Sequence, residues 1–114
     1  MAARIADVRR YALSLPDVTE EPHFHFSSFR VRGKIFATVP PEEKHLHIFV
    51  DEQELELAVA TSPKANEKLW WGKRIAGLRV TLATAKLADI KYLLESAWQR
   101  KAPKARRDKA GGGR

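Results

Sequence analysis

Basic and apolar residues alternate through Ser28-Phe29-Arg30-Val31-Arg32-Gly33-Lys34-Ile35-Phe36. In an extended strand this period of two sets Phe29 and Val31 on one face and Arg30 and Arg32 on the other. One face can pack on a core while the opposite face and the glycine turn present guanidinium and ammonium groups. Lys73, Arg74 and Arg79 form a second basic set further along. If Arg30, Arg32, Lys34, Lys73, Arg74 and Arg79 share a solvent face, they would track phosphates with an affinity that falls steeply with salt. The competing expectation is a solvated sheet face balanced by Glu52, Glu54 and Glu56. Trp70 and Trp71 lie beside the second set. Adjacent strand residues point to opposite sides, so one tryptophan is expected in the core and the other partly exposed. The exposed ring could stack on a base or fill a partner's pocket, or simply cover the end of a core.

Two His-x-His pairs, His23-Phe24-His25 and His45-Leu46-His47, would each project on one face if extended. Four imidazoles brought together could hold zinc or nickel, but no carboxylate or cysteine stands at ligand spacing between them, so surface histidines and no metal site are expected. Glu20-Glu21 and Glu42-Glu43 are adjacent acids in loops rather than carboxylates opposed across a cleft. There is no glycine-rich phosphate loop, helical His-Glu pair or serine elbow. No catalytic residue, enzyme activity or cofactor is expected.

The chain has 114 residues, no cysteine and a formal net charge of +7, with a pI near 10.0. That length suits one core. The missing thiols exclude disulfides, thiolate metal sites and a cysteine nucleophile. No apolar run approaches a membrane span, and the N-terminus lacks the apolar centre of a secretory signal, so the cytoplasm is the expected compartment. The basicity is unevenly spread. From Gln99 to Arg114 seven cations face the single acid Asp108, whereas residues 1–98 carry fourteen basic and thirteen acidic side chains, a net of +1. Residues 102–114, glycine-rich and basic, are expected to be a disordered tail. Such a segment attracts any polyanion without a fold, or merely solubilises.

The spacing predicts a helix over residues 3–15 ended by Pro16, then an acidic connector from Val18 to Pro22. Strands are predicted at Phe26–Arg32, Lys34–Val39 and His45–Val50, the first two closed into a hairpin by Gly33. Asp51 and Glu54 read as a capping box opening a helix that reaches about Ala60 and is stopped by Thr61-Ser62-Pro63. Lys64 to Lys68 reads as a polar loop, Leu69 to Trp71 as a short apolar element, and Gly72 to Gly77 as a basic bend. Leu78 to Ala83 alternates as a strand, and a last helix spans about Lys86 to Arg100, with Leu87, Ile90, Leu94, Ala97 and Trp98 on its buried stripe.

Five pieces in order carry a resemblance to a known family: Ala12-Leu13-Ser14-Leu15-Pro16, Glu20-Glu21-Pro22-His23, Phe29-Arg30-Val31-Arg32-Gly33-Lys34-Ile35-Phe36-Ala37, Trp70-Trp71-Gly72-Lys73 and Leu93-Leu94-Glu95-Ser96-Ala97-Trp98. They are similar to the MmcQ/YjbR family of small bacterial proteins, across about residues 3–100. The resemblance implies an α+β fold of YjbR/CyaY type, related in shape to frataxin. An antiparallel sheet would pack against helices in the order α-β-β-β-α-β-β-α, with one domain over residues 1–101. It also implies DNA binding, by analogy with a double-wing fold in a phage transcription factor.

The expectation is therefore a cytoplasmic, non-enzymatic DNA-binding monomer without a membrane partner. Arg30, Arg32, Lys34, Lys73, Arg74 and Arg79 would contact phosphates, Trp70 or Trp71 would act as a wedge, and the tail would serve as an electrostatic arm. The rival is a protein- or small-ligand-binding domain with its groove between sheet and helices. Frataxin-like metal handling is disfavoured, because Glu52 to Glu56 sit among the stripe residues of one short helix.

Overall fold

The apolar spacing at the start of the chain closes into α1 (Ile5–Ser14), in a computed structural model that describes residues 2–103. Val8 and Ala12 are buried, and Ile5 and Leu15 pack against the same core. Leu15 is extended ahead of Pro16, where steric clash disfavours the helical conformation, and α1 stops there. Six strands make one antiparallel sheet: β1 (Val18–His23), β2 (Phe26–Val31), β3 (Lys34–Val39), β4 (His45–Ile48), β5 (Asn66–Trp71) and β6 (Arg74–Thr81). Their spatial order is β1-β2-β3-β4-β6-β5. Between β4 and β5 runs α2 (Glu52–Thr61), whose N-cap Asp51 accepts a 2.8 Å hydrogen bond from the Glu54 amide. A 3-10 turn (Leu82–Thr84) leads to α3 (Leu87–Lys101).

This is the expected α+β class with the expected elements in order, plus one strand. The acidic connector from Val18 to Pro22 is β1, paired along its length with β2. The stretch shows no apolar alternation because its helix-facing position is an acid, Glu20. The Glu20 carboxylate is held by Arg9 of α1 at 2.8 Å and by the Ser27 hydroxyl. Burial pushes this carboxyl up, but those hydrogen bonds outweigh it and hold the group below its ordinary value. An inward-pointing charge also blunts the sheet edge that β1 forms. A second difference lies at the β5–β6 hairpin. The predicted bend from Gly72 to Gly77 contracts to a two-residue turn, Gly72-Lys73, since Trp71 already pairs with Arg74. Gly72 supplies the positive φ of 64° that the turn requires.

Leu46 and Ile48 of β4 lie beside Val80 and Leu78 of β6, all buried beneath the helices, while His45, His47 and Arg79 take the opposite face. α1 packs on β1 and on α3, α3 crosses β3 and β4, and α2 covers β5 and β6. Ile90, Leu93, Leu94, Ala97 and Trp98 form the buried stripe of α3. Two irregularities interrupt the ladders. Phe29 pairs with Ala37 but Arg30 with Ile35, leaving Phe36 as an extra residue, so that Phe36 and Ala37 are both fully buried. Leu69 pairs with Gly77 but Trp70 with Ile75, leaving Ala76 over. Bulges of this kind bend and twist their strands.

Trp98 joins the layers: fully buried, it donates from Nε1 to the Pro16 carbonyl at 3.0 Å, tying α3 to the junction of α1 and β1. Trp98→Phe removes this bond and part of the ring volume. It is expected to lower stability by about 2 kcal/mol in urea titration, with an unchanged m value.

Candidate functional site

β2 ends at the turn Arg32-Gly33 and β5 at the turn Gly72-Lys73. The alternating directions of the antiparallel order make β2, β4 and β5 run the same way, so both tips leave the sheet at one end. They are separated by three strand spacings of about 4.8 Å, roughly 14 Å in all. Arg32 and Gly33 both have positive φ, 52° and 84°, the geometry of a type I′ hairpin. The C-terminal turn of α3 reaches the same end, where Arg100 donates from Nη1 to the Phe49 carbonyl at 2.7 Å.

This arrangement divides the six cations singled out in the sequence. Arg32, Lys34, Lys73 and Arg74 gather at the tip end. Arg32 lies 3.8 Å from Asp17, whereas Lys34, Lys73, Arg74 and also Lys101 have no hydrogen-bond or ion-pair partner among the described residues. Asp51 and Glu52 are the acids beside the second tip, across a hollow shared with Trp70, Lys73 and Arg74. Arg30 and Arg79 are elsewhere, on the middle of the open sheet face, and both are partnered. Arg30 donates to Ser28 Oγ at 2.9 Å and lies 4.0 Å from Glu21. Arg79 meets Glu67 at 3.3 Å and the His45 ring at 3.4 Å, and His45 in turn meets Glu42 at 3.2 Å. The expected balance by Glu52, Glu54 and Glu56 is not what forms. Glu54 accepts from Tyr92 and Glu56 pairs with Lys68 on the helix side.

The expectation that one tryptophan enters the core is also corrected. Trp70 is 54% and Trp71 63% exposed. They sit at the free end of the edge strand β5, beyond the cover of α2, so alternation has no core to point into. Trp71 packs edge-on to Phe49, centroids 5.9 Å apart. Among the described residues no three metal-ligating side chains converge. His47 instead lies in the sheet face against Phe26 at 5.9 Å.

Among the described residues the core fills most of the space between sheet and helices, and two hollows open at its margin: one of about 170 Å³ between α2, α3 and Asn66, and the one that Glu52 and Leu55 of α2 share with Trp70, Arg74 and Ile75. A groove of about 510 Å³ opens on the other face of the sheet. Phe26, Ile35, Thr38, His47, Phe49 and Trp71 line it, with Phe24 and His23 at one side and Arg100 and Lys101 also at its wall. The bulges shape it, since Ile35 and Ala76 beside them are lining residues. Gly77 lies under Phe49: a Cβ there would stand 2.8 Å from Phe49 Cδ1 and 2.9 Å from the Ile48 carbonyl oxygen. Phe24, Phe26, Phe49 and Gly77 were not singled out from the sequence, and Arg100 and Lys101 entered only as part of the basic run from Gln99 to Arg114. An isolated glycine inside an alternating strand, which marks a close approach, was the available signal.

A family model described as YjbR matches residues 13–100. The chain belongs to the YjbR family. The YjbR domain also resembles the crystal structure of Deinococcus radiodurans protein DR2400, which carries a DUF419 family domain. The TM-score is 0.76 at 20% identity, covering 96% of this chain and 89% of that one. At that identity the likeness speaks for the fold. No curated protein matches the chain. No helix among the described residues is long and apolar enough to cross a membrane. The expected tail lies, from residue 104 on, outside the described residues. Ala102 is buried and its amide closes α3 on the Trp98 carbonyl.

Two measurements probe the groove of the YjbR domain. Gly77→Ala must displace Phe49 or the β4 backbone and is expected to cost about 1–3 kcal/mol, read by chemical denaturation. Burial, with the nearby charges of Arg79 and His45 and against that of Glu42, lowers the His47 pKa from 6.5 to about 4. Between those values the unfolded chain binds more protons, so stability falls as pH drops from 6.5 toward 4. In His47→Phe this component is gone, and melting temperatures measured between pH 6.5 and about 5 decline less than those of the parent.

Proposed function

We propose that this YjbR domain is a cytoplasmic, non-enzymatic DNA-binding module acting as a double wing. The Arg32–Lys34 tip and the Lys73–Arg74 tip hold phosphates. One observation carries the reading: two basic hairpin tips and the basic end of α3 leave the sheet together, with Lys34, Lys73, Arg74 and Lys101 unpartnered among the described residues. Unpaired cations at projecting tips can approach a phosphate backbone without first breaking an internal ion pair. Arg30 and Arg79 drop out of the contact set because they lie on the sheet face away from the tips, Arg30 bonded to Ser28 and Arg79 paired with Glu67. In the sequence, residues 104–114 follow α3 and carry Lys104, Arg106, Arg107, Lys109 and Arg114 against Asp108. Their contribution is local concentration and sequence-independent attraction.

Binding of a DNA duplex, measured against salt concentration, tests the proposal. Lys73→Ala and Arg74→Ala are each expected to flatten the slope of log affinity against log salt by about one unit, whereas Arg30→Ala leaves it unchanged. A chain ending at Pro103 keeps every described element and is expected to retain binding with a smaller slope. Loss of all affinity in that shortened chain would make the tail the sole binder and end the double-wing reading.

A further inference from the structure

We propose that the groove on the open sheet face receives unpaired bases of a single-stranded nucleic acid, whose phosphates run along the basic end. The inference rests on the nucleic-acid reading above and deepens it by naming the strand state of the ligand. The groove holds about 510 Å³, within the roughly 300–1,000 Å³ of small-ligand sites. Its lining is chiefly rings: Phe26, His47, Phe49 and Trp71. Ring faces bind the π-face of any base and read no edge pattern. A base inside a duplex exposes edges, not faces, so a platform of this kind selects bases that are already unstacked. Burial keeps the His47 ring uncharged near neutral pH, so the ring adds no cation to the floor.

Phe24 is an independent sign. It is 90% exposed at the turn between β1 and β2, beside the groove, with its ring edge-on to His23 at 4.8 Å. Its φ is +58°, a conformation unfavourable for a bulky residue. A glycine would fit that turn with less strain, and an exposed phenylalanine gains nothing from burial there. Strain retained at an exposed aromatic is accounted for by a ligand against which the ring packs. Arg100 and Lys101 line the same groove, which places cations within reach of the phosphates flanking a bound base.

The test uses the full chain with an oligothymidylate of about twelve nucleotides, inside the ~4–16 of single-strand sites, and the same sequence as a duplex. Tighter binding of the single strand is expected, with quenching of tryptophan emission that Trp71→Phe diminishes. Phe24→Gly is expected to leave the domain at least as stable while weakening single-strand binding roughly 5- to 100-fold and duplex binding little. Lys73→Ala weakens both ligands alike. Equal affinity for the two ligands, or no selective effect of Phe24→Gly, overturns the groove assignment and leaves the double-wing reading standing. If neither ligand binds at low salt, both fall.

Discussion

α1, α2 and α3 all pack on one face of the sheet, and the consequences of that one-sided cover run through the whole molecule. A strand residue facing the helices must be apolar or internally paired, because water is excluded there. Leu46, Ile48, Leu78 and Val80 meet the first condition. Glu20, held by Arg9 and Ser27, meets the second. The opposite face has no such requirement, and it is there that His45, His47, Arg30 and Arg79 collect with the rings of Phe26, Phe49 and Trp71. Trp98 fixes the arrangement by anchoring α3 against the segment that enters β1.

The open face is not uniform. Across its middle, charges are matched strand to strand, Glu67 to Arg79 and Glu21 to Arg30, in the way opposed side chains stabilise a sheet. Exposed pairs of this kind add little stability, but they cancel the local field. At the tip end the facing residues are apolar, Val31 opposite Lys34 and Trp71 opposite Arg74, so the side chains of Lys34, Lys73 and Arg74 find no ion-pair partner among the described residues. The same chemistry therefore yields a neutral platform and a cationic rim within one sheet. The bulges at Phe36 and Ala76 set the groove between them, and Gly77 lets the Phe49 ring lie close to β6.

Periodicity made most elements legible. The heptad-like spacing of α3, the capping residue of α2 and the pre-proline end of α1 are local signals, and each has its counterpart in the structure. β1 escaped because Glu20 interrupts its apolar alternation, and the partner that lets this acid face the helices, Arg9, belongs to another element. Trp70 and Trp71 were placed by an alternation rule that presumes a core on one side, and the strand end has none. The aromatic lining of the groove was missed for a similar reason. Phe24 and Phe26 are two positions apart, but Phe49 and Trp71 come from separate segments, and no spacing along the chain relates them to that pair.

Local sequence determined which residues alternate, where helices begin and end, and that the charge of the body is nearly balanced, because these depend on neighbours a few positions away. Tertiary structure decided which of the balanced charges are paired and which stand free, and which rings share a surface. Those outcomes depend on strand order and on which face the helices cover, and both are set by packing between segments far apart in the chain.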